Sequence, residues 1–303
     1  MASVYKADDP AAYEQSMGRW SRRLATAFVK FAAIGGARRI VDIGCGTGSL
    51  TFALADALPG AVITGMDHAR AYLDYASSKS SNDQRLAFEQ GDAAALPYDD
   101  DAFDASLSLL VLNFVPNAER AAREMARVTR RGGVVAASVW DFRGGLTFLR
   151  VLADTAAALD PDGDAFRTKL FSGPFTRAGE LAATWMKMGL RDVEQTSLTI
   201  RMEFQSFADY WQPWLGGQGP AGAYVSSLPD KKRAHIEQNL RRAYLAGDED
   251  GPRSFAATAW AVRGIRVTGA VPASEGRTSR PAEPRHRRDA ARPCAGAAGR
   301  GAR

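Results

Sequence analysis

Three glycines at alternate positions, Gly44, Gly46 and Gly48, sit between an apolar run and a stretch with helical spacing. Glycine there lets the chain turn tightly and lets a ligand lie against bare backbone. The helix start that follows offers free N–H groups to a carboxylate or phosphate. Two acids further on suit other parts of a nucleoside-like ligand. Asp67 lies about 20 residues beyond the loop, where a carboxylate accepts hydrogen bonds from ribose hydroxyls. An N-cap role for Asp67 is compatible with this, because residues 69–76 read as a helix. His68 beside it reads as a solvent-edge residue that packs on a ribose. Asp92 can accept from an adenine amino group, and Ala93 can offer its backbone N–H to the ring. Alone, Asp92 reads equally as an ordinary loop acid; the three positions together are far more specific than any one of them.

The elements that must hold these groups alternate between strand and helix. Residues 40–43 read as a short buried strand, and Leu50, Ala53, Leu54, Ala57 and Leu58 as one face of a helix. Pro59-Gly60 is a turn, followed by a second strand over 62–66 and a third over 86–90. Residues 103–110 read as a fourth strand. Asn117 caps a helix that runs to Arg131, and 134–140 read as a fifth strand. Two helices, 146–159 and 177–188, flank a Pro/Gly/Asp loop. Strands over 190–200 and 256–262 complete the pattern. Alternation of this kind predicts an α/β doubly wound sheet, with the glycine loop where such sheets hold nucleotide-like ligands. The dinucleotide fingerprint G-x-G-x-x-G is not met, because Ser49 stands at its third glycine. That weakens a hydride-transfer reading.

The run Val41-Asp42-Ile43-Gly44-Cys45-Gly46-Thr47-Gly48 resembles the first motif of class I S-adenosylmethionine-dependent methyltransferases. The stretch from 91 to 140 adds G-D-A-x-x-L-P, then F-D, then a helix with R-E-M-x-R-V, then a strand after Gly132-Gly133. This is similar to the methyltransferase type 11 domain and to the ubiquinone/menaquinone C-methyltransferase group, over roughly residues 38–141. The resemblance implies a Rossmann-like doubly wound sheet of seven strands, the last antiparallel, with helices on both faces. It implies S-adenosylmethionine as methyl donor. Gly44, Cys45, Gly46 and Gly48 would cradle the methionine part, with Asp42 drawing its ammonium group. Asp67 and His68 would hold ribose, Asp92 and Ala93 the adenine, and Leu109 would belong to the same donor site. The implied reaction is direct in-line transfer to a small-molecule acceptor. An NAD-dependent oxidoreductase and a non-catalytic S-adenosylmethionine-binding protein are the alternatives.

Outside that core, residues 1–15 read as loosely ordered and 16–31 as an amphipathic helix carrying Trp20, Leu24, Phe28 and Phe31. Residues 1–37 are expected to form an N-terminal helical lid. Either its arginines are solvated, or Tyr13, Trp20 and one arginine, Arg19, cover the ligand, the arginine pairing with a carboxylate. Domain 38–263 carries an insertion, 204–250, with Phe204, Phe207, Tyr210, Trp211, Trp214 and Tyr224. It reads either as a satellite core or as an α-helical, aromatic cap over the acceptor. Asn113, Phe114 and Trp140 from the core, and Trp211 and Trp214 from the cap, are the acceptor-pocket candidates; plain packing is the other reading of each tryptophan. No histidine falls in the expected pocket, so any base is a tyrosine or carboxylate, or the acceptor is already nucleophilic.

The net charge of +5 misleads about partners. Residues 264–303 carry nine arginines against three acids, which leaves 30 basic and 31 acidic residues in 1–263. A near-neutral body calls for neither nucleic acid nor an acidic membrane. The basic stretch 264–303 lacks large apolar residues and is expected to be a disordered, dispensable tail. Cys45 and Cys294 make no disulfide framework, and His68, His235 and His286 make no metal cluster. No apolar run is long enough to span a membrane and no secretory signal opens the chain, so a cytoplasmic setting is expected.

Overall fold

The computed structural model describes residues 8–80 and 82–267. Helix α1 (Pro10–Tyr13) runs into one π-helical turn (Glu14–Gly18) and then α2 (Arg19–Ala32). β1 (Arg39–Ile43), α3 (Ser49–Ala57), β2 (Val62–Asp67), α4 (Arg70–Lys79) and β3 (Leu86–Gln90) follow. Next come β4 (Phe103–Leu109), a 3-10 turn (Leu112–Phe114), α5 (Ala118–Val128) and β5 (Thr129–Trp140). The remainder is α6 (Thr147–Leu159), α7 (Pro161–Phe171), α8 (Glu180–Lys187), β6 (Arg191–Phe204), α9 (Phe207–Leu215), α10 (Gly219–Ser227), α11 (Asp230–Leu245) and β7 (Arg253–Ile265).

The strands form one seven-stranded sheet in the order β3-β2-β1-β4-β5-β7-β6. β1 to β5 pair in parallel, and β7 runs antiparallel to both of its neighbours, β5 and β6. The order reverses between β1 and β4, so a crevice opens outside their carboxyl ends. Helices cover both faces of β1, which is why it reads as a continuous apolar run rather than an alternation. Ile40, Val41 and Ile43 are fully buried. Leu24 and Phe28 of α2, Leu54 of α3 and Leu152 of α6 fill one layer. Met125 of α5 and Trp185 of α8 fill the other. Trp185 also donates its indole N–H to the Val135 carbonyl at 2.9 Å, tying that helix to the sheet.

The structure corrects several boundaries. Residues 10–15 are helical, with Asp9 as N-cap accepting from the Ala12 N–H and Pro10 opening the first turn. The Pro/Gly/Asp stretch read as a loop is the start of α7. Asp160 caps it and Pro161 takes the first helical position, where a missing N–H costs nothing. β7 extends to Ile265, and Arg266 reaches back to the Asp101 carboxylate and the carbonyls of Arg127 and Thr129. Gly264 and Ile265 therefore belong to the sheet, and Arg266 is bonded to it through its backbone at Gly132 and Gly133. The expectation for 268–303, with Cys294 and His286, lies outside the described residues. Among those residues no helix is long and apolar enough to cross a membrane.

Candidate functional site

The crevice at the sheet reversal holds a cavity of about 470 Å³. β1 brings Asp42 to its floor, the loop after β1 contributes Gly44, Cys45 and Gly46, and the first residue of α3 contributes Ser49. Asp67 and His68 arrive from the end of β2, Asp92 and Ala93 from beyond β3, and Leu109 from the end of β4. Two candidates for this cavity fall elsewhere. Gly48 is not on the wall; it is the N-cap residue of α3, in the left-handed region at φ 91°. Arg19 is committed to the insertion: its guanidinium pairs with Asp209 at 2.9 Å and lies over the rings of Trp20 and Phe204.

The loop is held from within. The N–H groups of Gly44 and Cys45 both donate to the Met66 carbonyl, at 2.7 and 3.0 Å. Asp67, 7 % exposed, accepts from the Gly46 N–H through one oxygen and the Ala69 N–H through the other, each at 2.9 Å. A carboxylate has about four lone-pair sites, so capacity remains for a ligand hydroxyl. Gly44 must be glycine on two counts. Its φ is 74°, and a Cβ there would stand 2.5 Å from the Val111 side chain.

Asp42 is fully buried, and its Oδ2 accepts from the Thr51 hydroxyl at 2.7 Å. Its Oδ1 has no partner. Burial pushes its carboxyl up to about 7, opposed by the Thr51 hydrogen bond and helped by the negative charge of Asp67. Ser49, also on the wall, has a buried hydroxyl without a partner. One orphaned carboxylate oxygen and one orphaned hydroxyl match the ammonium and carboxylate of an amino-acid head group, so the residues present fit such a ligand. The hydrogen bond from His68 Nδ1 to Asp67, at 3.3 Å, raises the imidazole's affinity for a proton. Burial pushes the Cys45 thiol up, which makes it an unreactive wall residue rather than a nucleophile.

A second, smaller cavity of about 70 Å³ lies alongside. Phe114, Trp140, Phe142, Phe148 and Trp214 give it an aromatic wall, and none of its lining side chains carries a charge. Tyr13, Ser21, Leu110 and Phe114 line both cavities and so mark the boundary between them. Burial pushes the Tyr13 hydroxyl up to about 12, and it lies 3.3 Å from the Ser21 hydroxyl. Leu110 holds a φ of 64°, an unusual value for a bulky side chain, at this boundary.

Tyr13, Phe114, Trp140 and Trp214 thus line one cavity. Three candidates are not. Trp20 packs edge-on against Phe204, Trp211 stacks on Phe207, and Asn113 donates its amide to the Pro174 carbonyl. Most of the aromatic insertion is core: Phe204, Phe207, Tyr210, Trp211 and Tyr244 pack on one another within the cluster that also holds Leu24 and Leu152, while Trp214 alone of its tryptophans faces the cavity. Sequence reasoning did not single out Ser21, Leu110, Tyr72 or Gln218. Ser21 lies on the same lid helix as Trp20, one position on, and the helical pattern carried that signal. Gln218 comes from the insertion and meets the Tyr72 hydroxyl at 3.0 Å across 146 residues of chain, a pairing with no local signature.

A sheet of this order, with a glycine loop at its reversal and acids at the next two strand ends, defines a class I methyltransferase fold. Comparison with known proteins agrees. A family described as a methyltransferase domain matches residues 41–137. The demethylmenaquinone methyltransferase of Roseiflexus castenholzii is 34% identical over 55% of this chain and 74% of its own length. The malonyl-[acyl-carrier protein] O-methyltransferase of Geobacter sulfurreducens is 34% identical over 52% of this chain and 57% of its own length. The 27-O-demethylrifamycin SV methyltransferase of Amycolatopsis mediterranei is 31% identical over 54% of this chain and 56% of its own length. This chain thus spans little more than half the length of those last two relatives. Among solved structures, a phosphoethanolamine N-methyltransferase 2 of Haemonchus contortus, bound to S-adenosylhomocysteine, covers 85% of this chain and 57% of its own at TM-score 0.54 and 13% identity. The YcgJ protein of Bacillus subtilis covers 82% of this chain and 99% of its own at TM-score 0.50 and 19% identity. The chain belongs to the class I S-adenosylmethionine-dependent methyltransferases. It is an enzyme of methyl transfer.

Proposed function

We propose that the larger cavity takes S-adenosylmethionine and that the smaller one takes a neutral, ring-bearing acceptor. The observation that carries this reading is the pair of cavities meeting at Tyr13, Ser21, Leu110 and Phe114, one lined by carboxylates and loop backbone, the other by aromatic rings. When bound, S-adenosylmethionine supplies an electrophilic methyl group on a positively charged sulfur. Asp42 faces the ammonium group and Ser49 the carboxylate. Asp67 accepts from the ribose hydroxyls, and Asp92 with the Ala93 N–H holds the base. The boundary residues keep acceptor and methyl group in line and exclude water; proximity of this kind is worth up to ~7–11 kcal/mol.

Among the described residues the acceptor cavity offers no general base. Tyr13 is its titratable lining group, and at about 12 it stays protonated at neutral pH, so it donates a hydrogen bond and takes no proton. The acceptor therefore arrives with its own nucleophilic atom. Two relatives are named for demethylmenaquinone and 27-O-demethylrifamycin SV, and the aromatic wall suits the face of a ring-bearing compound whose bulk lies outside a cavity of about 70 Å³. The free, buried thiol of Cys45 suits a reducing, cytoplasmic setting.

Titration calorimetry tests the donor: S-adenosylmethionine and S-adenosylhomocysteine should bind and NAD should not. Binding of NAD with none of S-adenosylmethionine would overturn the reading. Untargeted profiling of a metabolite extract with methyl-labelled donor then identifies the acceptor, which should be uncharged and carry rings.

A further inference from the structure

The segment that roofs both cavities is tied to the glycine loop by one side chain. Thr47, between Gly46 and Gly48, is 4 % exposed and donates its hydroxyl to Glu14 Oε1 at 2.6 Å. The other oxygen of Glu14 pairs with the Arg22 guanidinium, and the Glu14 side chain is 15 % exposed. Glu14 opens the π-helical turn. Such turns are uncommon and recur at functional sites. The turn lets Glu14 fold back over Gly18, where a Cβ would collide with the Glu14 carboxylate. The residue before Glu14 is Tyr13, whose ring lies 5.2 Å from that of Tyr72 across the cavity wall. A second tie closes the other end: Gln218 accepts from the Tyr72 hydroxyl and donates to Asp8 at 3.2 Å.

We infer that Glu14 is a positioning residue: through Thr47 it fixes the N-terminal segment on the glycine loop and so sets Tyr13 over the boundary between the two cavities. The inference rests on the reading of those cavities as donor and acceptor sites. An O–H donated to a carboxylate is short and strong, and the ion pair with Arg22 holds the other Glu14 oxygen in place. Because Tyr13 lines both cavities, breaking this tie loosens the wall that holds a ligand in the larger one. The tie thus governs the lifetime of the closed site, while Asp42, Asp67 and Asp92 supply the contacts inside it. A carboxylate does this better than an apolar contact would, because a hydrogen bond to a loop hydroxyl breaks and re-forms in one geometry.

The experiment compares Thr47→Val, which keeps shape and removes the hydroxyl, with Thr47→Ser, which restores it. Two readouts are taken on the full chain: amide hydrogen exchange over residues 10–18, and the release rate of S-adenosylhomocysteine by displacement. Thr47→Val should speed exchange and release about tenfold, which is about 1.4 kcal/mol of closure. Thr47→Ser should return both to wild-type values. If Thr47→Val fails to fold, Glu14→Ala removes the same tie from the lid side and must show the same two losses. Wild-type exchange and release in Thr47→Val, or a Thr47→Ser as defective as Thr47→Val, overturns the inference. Failure of the wild type to bind S-adenosylhomocysteine would refute the donor reading instead, and the exchange measurement still decides whether the tie holds the segment.

Discussion

Asp42 is a buried acid whose charged form has one neighbour and a missing second one. Hydrogen bonding from Thr51 offsets only part of the cost of burial, so its carboxyl titrates near 7 instead of at its ordinary 3.8. The sign follows. Below pH 3.8 both folded and unfolded chains carry the proton; between there and about 7 only the folded chain holds it, so stability falls as pH rises, and above 7 the loss is complete. Asp42→Asn should flatten that part of the stability curve, read by denaturant unfolding at several pH values. An ammonium group beside Asp42 favours the carboxylate, so donor binding should release a proton below pH 7 and tighten as pH rises towards it. Calorimetry in buffers of different ionisation enthalpy reads the proton directly. Binding without proton release at pH 6 would place the ammonium group elsewhere.

Among the elements, the glycine loop and the aromatic insertion each separate into parts with different duties. Gly44 and Gly46 both have positive φ, and a side chain in that region costs about 1–2 kcal/mol. At Gly44 the added methyl also meets Val111, whereas at Gly46 the nearest atom is 3.9 Å away, on Tyr72. Gly44→Ala should therefore lower the melting temperature markedly. Gly46→Ala should fold and lose donor affinity, because its methyl stands on the cavity wall; equal melting temperatures for the two would contradict this. In the insertion, Trp211 is 1 % exposed and Trp214 stacks on Phe148 at 5.7 Å on the cavity side. Trp211→Ala should cost about 3–5 kcal/mol of stability. Trp214→Phe keeps the stack and should instead raise the acceptor KM, leaving the donor Kd unchanged. Both residues look alike in sequence. They lie three apart on one short helix, and only the direction from which α6 and the sheet approach decides which one faces the cavity.

At the scale of the molecule, the sheet closes with Arg266, which is 14 % exposed and bonds to the Asp101 side chain and two carbonyls. Truncation after Val267 should leave melting temperature and methyl transfer intact, while Arg266→Ala should lower the former; a large loss on truncation would assign a role to 268–303. The chain's local signals were enough to read the strand–loop–helix opening, the acids at the next strand ends and the alternation that makes a doubly wound sheet. Those features depend on neighbours within a few residues: glycine where φ is positive, apolar runs where both faces are covered, an Asn before a helix. Arg19 and Gly48 show the limit, since motif position suggested ligand contact while Asp209 and the start of α3 claimed them. So do Glu14, Thr47, Ser21 and Gln218, whose chemistry exists only after distant segments meet. The amino-acid sequence by itself determined the fold and the crevice at the sheet reversal, because both are written in local periodicity and spacing. Only the tertiary structure decided which aromatic rings form the second cavity and what ties its roof shut, because those depend on long-range packing that leaves no periodic trace.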